Sequence, residues 1–137
     1  MDIAERPIPP VTAWSEPYWK AAQQGKLLIQ KCGECGRHVF YPRIACPFCF
    51  SDRLGWVEAS GRGTVYSFSV VENNAPSAFA AEVPFVIAIV RLEEGVRMMT
   101  NIVGCDPKTV RGEMPVEVVF ERLTDDLRLP KFKPRID

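Results

Sequence analysis

Apolar and polar positions alternate in short bursts through the second half of the chain, and a period of two marks β-strands. In TVYSFSVV (64–71), Tyr66, Phe68 and Val70 fall on one face and Ser67 and Ser69 on the other. PFVIAIVRL (84–92) and VRMMTNIV (96–103) follow, joined through Glu93, Glu94 and Gly95. A three-residue connection ending in Gly95 predicts a hairpin with that glycine left-handed. After DPKTVRGE (106–113), PVEVVFERL (115–123) and LRLPKFKPR (127–135) complete five strand-like runs. One long loop, Glu72 to Val83, interrupts them. Short strands with one long loop predict a mainly β fold, a small Greek-key barrel. In PFVIAIVRL both Phe85, Ile87, Ile89 and Val86, Ala88, Val90 are apolar. A strand with a wet outer face would alternate. Its outer face is therefore expected to be covered, by the N-terminal helix and cysteine-rich segment or by a partner protein.

The first half reads differently. Residues 1–13 are proline-rich and predict an extended arm. WSEPYWKAAQQG then predicts a short helix over roughly 15–24, with Ser15 as its cap. Glu16 and Pro17 suit the first turn, Trp14 and Trp19 the positions of a hydrophobic staple, and Gly25 the stop. KLLIQK leads as a strand into KCGECGRHVFYPRIACPFC.

That segment holds Cys32, Cys35, Cys46 and Cys49, four of the five cysteines. Two Cys-x-x-Cys pairs separated by ten residues have the spacing of a four-thiolate zinc site. Gly33 and Gly36 relieve the first turn and Pro47 stiffens the second. A redox pair would instead place one activated thiolate at a helix N-terminus. Four thiolates fill the zinc shell and leave no position for a catalytic water, so one structural Zn²⁺ per chain is expected. His38, the single histidine, reads as a ribbon surface residue, and Cys105 as a small buried apolar group. Glu93, Glu94, Asp125 and Asp126 read as turn charges. With no nucleophile elbow and no phosphate-cradling glycine motif, autonomous catalysis is not expected.

Seventeen basic residues balance seventeen acidic ones, so no global field draws a polyanion. The N-terminus lacks the basic start and apolar core of a secretory signal, and Val83–Val90 is too short to span a bilayer. A cytoplasmic protein with no membrane association is expected, where paired cysteines bind metal more often than they form disulfides. Locally the balance shifts. Between Pro17 and Gly63 seven basic residues face three acidic ones.

The helix PYWKAAQQGKL, the ribbon with its Tyr-Pro-Arg, the turn GRGTVYSFSVV, VPFVIAIVRLEEGVRMMTNIVG, PVEVVF and the closing PKFKP occur in a specific order. Together, over about residues 14–134, they resemble the zinc-ribbon/OB-fold family of acyl-CoA-associated proteins, long catalogued as a domain of unknown function. The resemblance implies an N-terminal arm and helix over 1–25 and a rubredoxin-like zinc ribbon over 26–58. A five-stranded OB-fold barrel would then occupy 59–137. It further implies a noncatalytic accessory or scaffold subunit in lipid and acyl metabolism. Such a subunit would work with thiolase-like or other CoA-thioester enzymes, in homo- or hetero-oligomers, with acyl-CoA as ligand. Arg43 first, then Lys31, Arg37 and Arg62, are the expected contacts to CoA phosphates. The small-residue loop NNAPSAFAAEVP would take an acyl chain or a partner.

Two other readings compete. Zinc ribbons and OB-folds also serve in nucleic-acid modules, where Tyr66 and Phe68 would stack bases; apolar strand mates at the same spacing favour core packing for both. A purely structural subunit that never touches CoA would instead use the doubly apolar strand and Trp14 and Trp19 as its interface.

Overall fold

A computed structural model describes residues 7–136; the first part of the expected arm lies outside them. Helix α1 (Glu16–Gln23) is followed by β1 (Leu28–Cys32), β2 (His38–Val39), β3 (Leu54–Glu58), β4 (Arg62–Val71) and β5 (Phe85–Leu92). Then come β6 (Arg97–Ile102), β7 (Pro115–Arg122) and β8 (Arg128–Pro134). Strands β2-β1-β3 form a small antiparallel sheet, and β4-β5-β6-β8-β7 close a five-stranded barrel, the OB-fold topology. All five strand-like runs in the second half are barrel strands.

Helix α1 starts without a side-chain cap from Ser15. The Ser15 hydroxyl instead accepts from the Thr12 N–H at 3.0 Å and binds the turn before the helix. The helix stops as expected. Gly25 sits at φ 75, its N–H donates to Ala22 O and the Lys26 N–H to Ala21 O, the pairing of a Schellman motif. Tyr18, Ala21 and Ala22 form its buried face, and Trp19 packs half-buried against the core. Trp14 remains exposed and takes no part in that packing, so the expected staple does not form.

One core unites the two halves. Tyr18, Leu27 and Ile29 belong to the same buried cluster as Val65, Val86, Val90, Met98, Val116 and Phe132 from the barrel. A second, smaller cluster joins Cys32, Val39 and Cys46, with Leu54 against it.

The barrel departs from the sequence pattern in β4. A bulge between Val65 and Ser67 shifts the register, so Val65 lies opposite Val90 while Ser67 lies opposite Ile89. The extra residue is Tyr66. Val65 becomes the fully buried position, and Tyr66 and Phe68 are left 42% and 39% exposed rather than packed in the core. The bulge takes Tyr66 out of the expected row, whereas Phe68 keeps its place opposite inward-facing Ala88 and stays partly exposed there. Strand β5 points Val86, Ala88, Val90 and Leu92 inward. Its outer face is not sealed by the helix, whose strongest contacts are with β1 and β8. Ile87 remains 38% exposed, and Met99 on the neighbouring strand 61%.

Between β6 and β8 the barrel is thinly stitched. These parallel strands pair at Ile102 and Phe132, with the Val103 N–H donating to Phe132 O. Further along, the Thr100 hydroxyl donates to Pro130 O at 3.0 Å. A seam is thus left along β6.

Close approach explains one glycine at the start of β4. A Cβ on Gly63 would lie 2.4 Å from Arg91 O and 2.9 Å from Val90 Cγ1. Backbone cannot yield there as a flexible side-chain tip would. Gly63→Ala is expected to lower stability by about 3 kcal/mol in urea unfolding; a loss below about 0.5 kcal/mol would show that β4 and β5 can part at no cost.

Candidate metal centre and ligand groove

Each Cys-x-x-Cys forms a tight knuckle, and the two are built alike. The Gly36 N–H donates to Cys32 O and the Phe50 N–H to Cys46 O. The Cys32 N–H donates to Arg37 O and the Cys46 N–H to Ser51 O. Backbone N–H groups also point at sulfur: Glu34 and Cys35 at Cys32 Sγ (3.3 and 3.4 Å), Phe48 at Cys46 Sγ (3.4 Å). Gly36 adopts φ 77 as a turn glycine, whereas Gly33 serves close approach, its N–H donating to Arg53 O.

All four Sγ atoms lie within 4.8 Å of one another. Cys32 and Cys49 are 3.6 Å apart, Cys35 and Cys46 3.7 Å. A tetrahedral Zn²⁺ with Zn–S of about 2.3 Å needs sulfurs about 3.8 Å apart, so the donor set fits that ion. Cys32 and Cys46 are buried, Cys35 and Cys49 face solvent. The thiols are electrostatically opposed. The Cys35 N–H draws the Cys32 thiol down to about 6; burial opposes this and the Glu34 N–H reinforces it. Burial raises Cys46, but the N–H groups of Cys49 and Phe48 outweigh it, so it too is lowered. At Cys49 the Ser51 N–H pulls down, yet burial and the surrounding thiols win and push it up to about 12. Four thiolates this close ionise together only around a cation.

The Tyr-Pro-Arg segment ties this centre to the barrel. Tyr41 Oη accepts from the Met99 N–H at 3.2 Å, at the seam of β6. Buried Gln30 clamps the next turn: it accepts from the Arg43 N–H at 2.8 Å and donates to Arg43 O at 2.9 Å. Between them Phe40 meets the Tyr18 ring edge-on at 5.8 Å. Burial pushes the Tyr18 hydroxyl well above its ordinary pKa, helped by Tyr41, so Tyr18 stays neutral.

Three neighbouring cavities lie between the knuckles and the barrel, each sharing lining residues with the next. A cleft of 650 Å³ between the second knuckle and the β5–β6 hairpin is lined by Arg37, His38, Phe40, Phe48, Glu94 and Arg97. Phe40 also lines a 440 Å³ cavity with Tyr18, Trp19, Tyr41 and Met99. Met99 and Lys131 continue into a 560 Å³ groove with Phe79, Phe85 and Ile87. The long loop thus contributes directly. Its Ser77–Glu82 segment folds as a 3₁₀ turn, and Phe79 approaches Phe85 with 6.3 Å between ring centres. Cations cluster at one end, where Arg37 lies over the Phe48 ring (4.7 Å) and Arg97 over Tyr66 (4.1 Å). At the other end Lys131 is engaged by Glu121 at 2.9 Å.

Of the four cations singled out in the sequence, the structure brings Arg37 to this cleft. Lys31 sits in β1 opposite His38 and Gly55, Arg43 on the clamped turn, and Arg62 at the start of β4 opposite Glu117. Tyr41, Arg97 and Met99 fall within motifs that carry the resemblance, but their place at the cleft and seam was not legible there, because their partners lie on other elements. His38 lines the cleft, Cys105 packs half-buried against the core, and Glu94 accepts from the Ser60 N–H. No helix among the described residues is long and apolar enough to cross a membrane.

Comparison with known proteins agrees with this architecture. Residues 19–55 match the family described as "ChsH2, rubredoxin-like zinc ribbon domain", and residues 56–121 match "ChsH2, C-terminal OB-fold domain". A "DUF35 domain-containing scaffold protein" of Methanocaldococcus jannaschii is 40% identical over 110 residues, which cover 79% of this chain and 77% of that protein. A "Probable enoyl-CoA hydratase alpha subunit" of Thermomonospora curvata is 38% identical over 97% of this chain, although this chain spans 41% of that protein's length. Among solved structures, a chain of the "Ltp2-ChsH2(DUF35) aldolase" superposes with a TM-score of 0.82 at 37% identity, covering 93% of this chain and 98% of that one.

The chain is expected to carry one zinc, read by metal analysis, and to lose it in Cys46→Ser; retention of a full equivalent by that variant would contradict the four-thiolate site. Protons compete with the ion for thiolates. Metal retention should therefore fall as pH drops through about 6, where the Cys32 thiol of the metal-free site takes up its proton. A chelator titration across pH 4–8, on the order of a unit per step, reads this directly.

Proposed function

Because the chain belongs to the DUF35 family of zinc-ribbon/OB-fold scaffold proteins, we propose that it is the noncatalytic subunit of a CoA-thioester enzyme with a thiolase-like or hydratase partner. It binds acyl-CoA along the seam of its barrel. The observation that supports the ligand reading is the polarity of the row of three neighbouring cavities. Two guanidinium groups stand at one end, and the walls beyond Phe40 are mainly apolar. An acyl-CoA has the same polarity, with phosphates at one end and a hydrocarbon at the other. Arg37 and Arg97 would hold phosphate oxygens by charge-assisted hydrogen bonds. Tyr18, Phe40, Met99, Phe85 and Phe79 would shield the acyl chain.

The metal, when bound, braces the two knuckles and with them the floor of the cleft. Arg37 leaves the first knuckle and stacks on Phe48 of the second, so its position depends on both. No step of a reaction is assigned to this chain.

Nucleic-acid binding draws on a separate feature, the exposed Tyr66 between Arg97 and Arg91. Arg91 is already paired with Glu113 at 3.3 Å, and the chain as a whole carries no net charge. The acyl-CoA reading is better supported.

Calorimetry on the zinc-loaded chain tests both. Acyl-CoA is expected to bind more tightly than free CoA, by up to about 0.8 kcal/mol per buried methylene. Arg37→Ala should weaken both ligands about tenfold, the loss of one charge-assisted contact. Equal affinity for CoA and acyl-CoA would remove the acyl groove; steeply salt-dependent binding of a single-stranded oligonucleotide would favour the rival.

A further inference from the structure

The two knuckles share one design but end on different residues. In both, the residue after the second cysteine is left-handed, Gly36 at φ 77 and Phe50 at φ 64. Glycine adopts that conformation freely, and a bulky side chain does so only against steric resistance. Phe50 gains no burial in return, since it is 83% exposed. Its neighbours on the same turn region are also apolar and open, Phe48 at 52% and Ile44 at 70%. The main chain that carries these groups is held in place. Phe50 follows Cys49 on a knuckle whose N–H groups bond Cys46, and the main chain before Ile44 is clamped on both sides of Arg43 by Gln30. An apolar group presented from a fixed main chain loses less freedom on binding than one on a mobile loop, which favours it as an interface anchor.

We infer that the tip of the second knuckle, Phe50 with Ile44, is the anchor by which this chain docks on a catalytic protein subunit. That subunit would offer an apolar socket rimmed by carboxylates. The inference rests on the scaffold reading above. Arg43 supports that chemistry: it is exposed beside Ile44 and takes part in none of the ion pairs among the described residues. Two copies of this chain meeting through the patch would each present Ile44, Phe50 and Arg43 with no carboxylate among them, leaving both Arg43 charges unpaired in the contact. A different protein with acidic rim groups pairs that charge instead.

The test uses the full, zinc-loaded chain, tagged in the organism that makes it. The copurifying subunit that turns over CoA thioesters is isolated and used as the probe. Its affinity is measured for the unaltered chain, Phe50→Gly and Arg43→Glu. Phe50→Gly places glycine where the first knuckle has one, so metal content and Tm should be unchanged or Tm higher. Affinity for the probe should nevertheless fall at least tenfold, on the order of 1.4 kcal/mol. Arg43→Glu should also weaken binding and reverse its response to salt. Unchanged affinity in Phe50→Gly would overturn the inference and leave the scaffold reading standing. Loss of metal or of Tm in that variant would make the ring structural and overturn it as well. Dissociation of a homodimer by Phe50→Gly would assign the patch to a second copy and overturn the partner. Absence of any CoA-thioester enzyme from the complex would overturn both readings.

Discussion

Four sulfurs within 4.8 Å of one another can all be thiolates only around a positive ion, and much of the first half of this protein depends on that constraint. The ribbon sheet has one strand of two residues and a small buried cluster of Cys32, Val39 and Cys46. Such a core stabilises little by itself, whereas binding of a structural zinc contributes on the order of 10 kcal/mol to modules of this size. With the knuckles pinned, Phe40, Tyr41 and Arg43 are presented from the loop between them. Tyr41 reaches Met99 on β6, and Gln30 holds Arg43. The centre thus sets the position of residues that line the cleft and the seam.

The barrel supplies the other half of the site through incomplete closure. Strand β6 is fully paired to β5 but joined to β8 at one residue pair, leaving its outer edge to Tyr41 and Thr100. A closed barrel normally has no edge to offer. Here the weakly paired stretch runs beneath two cavities, and the loop after β4 folds its Phe79 over one of them. Groove and core therefore share a strand: Met98 is buried in the core while Met99, next along it, lies open in the groove.

Much of this was readable in the sequence. The cysteine spacing is dictated by coordination geometry, and the five barrel strands arise from apolar periodicity and the glycine at the hairpin. What escaped was tertiary. Strand β2 is too short to show a period, and LGWVE in β3 has none. The bulge at Tyr66 reversed the face on which an aromatic was expected, because one inserted residue flips the side chains before it relative to those after it. The Tyr41–Met99 contact spans 58 positions, and Arg97 matters only because Tyr66 crosses to it from another strand. Arg43 stood out beside proline, but the structure places Arg37 rather than Arg43 in the cleft.

The proposed function divides labour between a shaping chain and a reacting one, and steady-state turnover of a CoA thioester is its sharpest test. Three samples are compared at equal concentration: this chain alone, its isolated catalytic partner, and the two recombined. No turnover is expected of this chain, and the recombined pair should run well above the partner alone. Turnover by this chain in the absence of any partner would contradict that division.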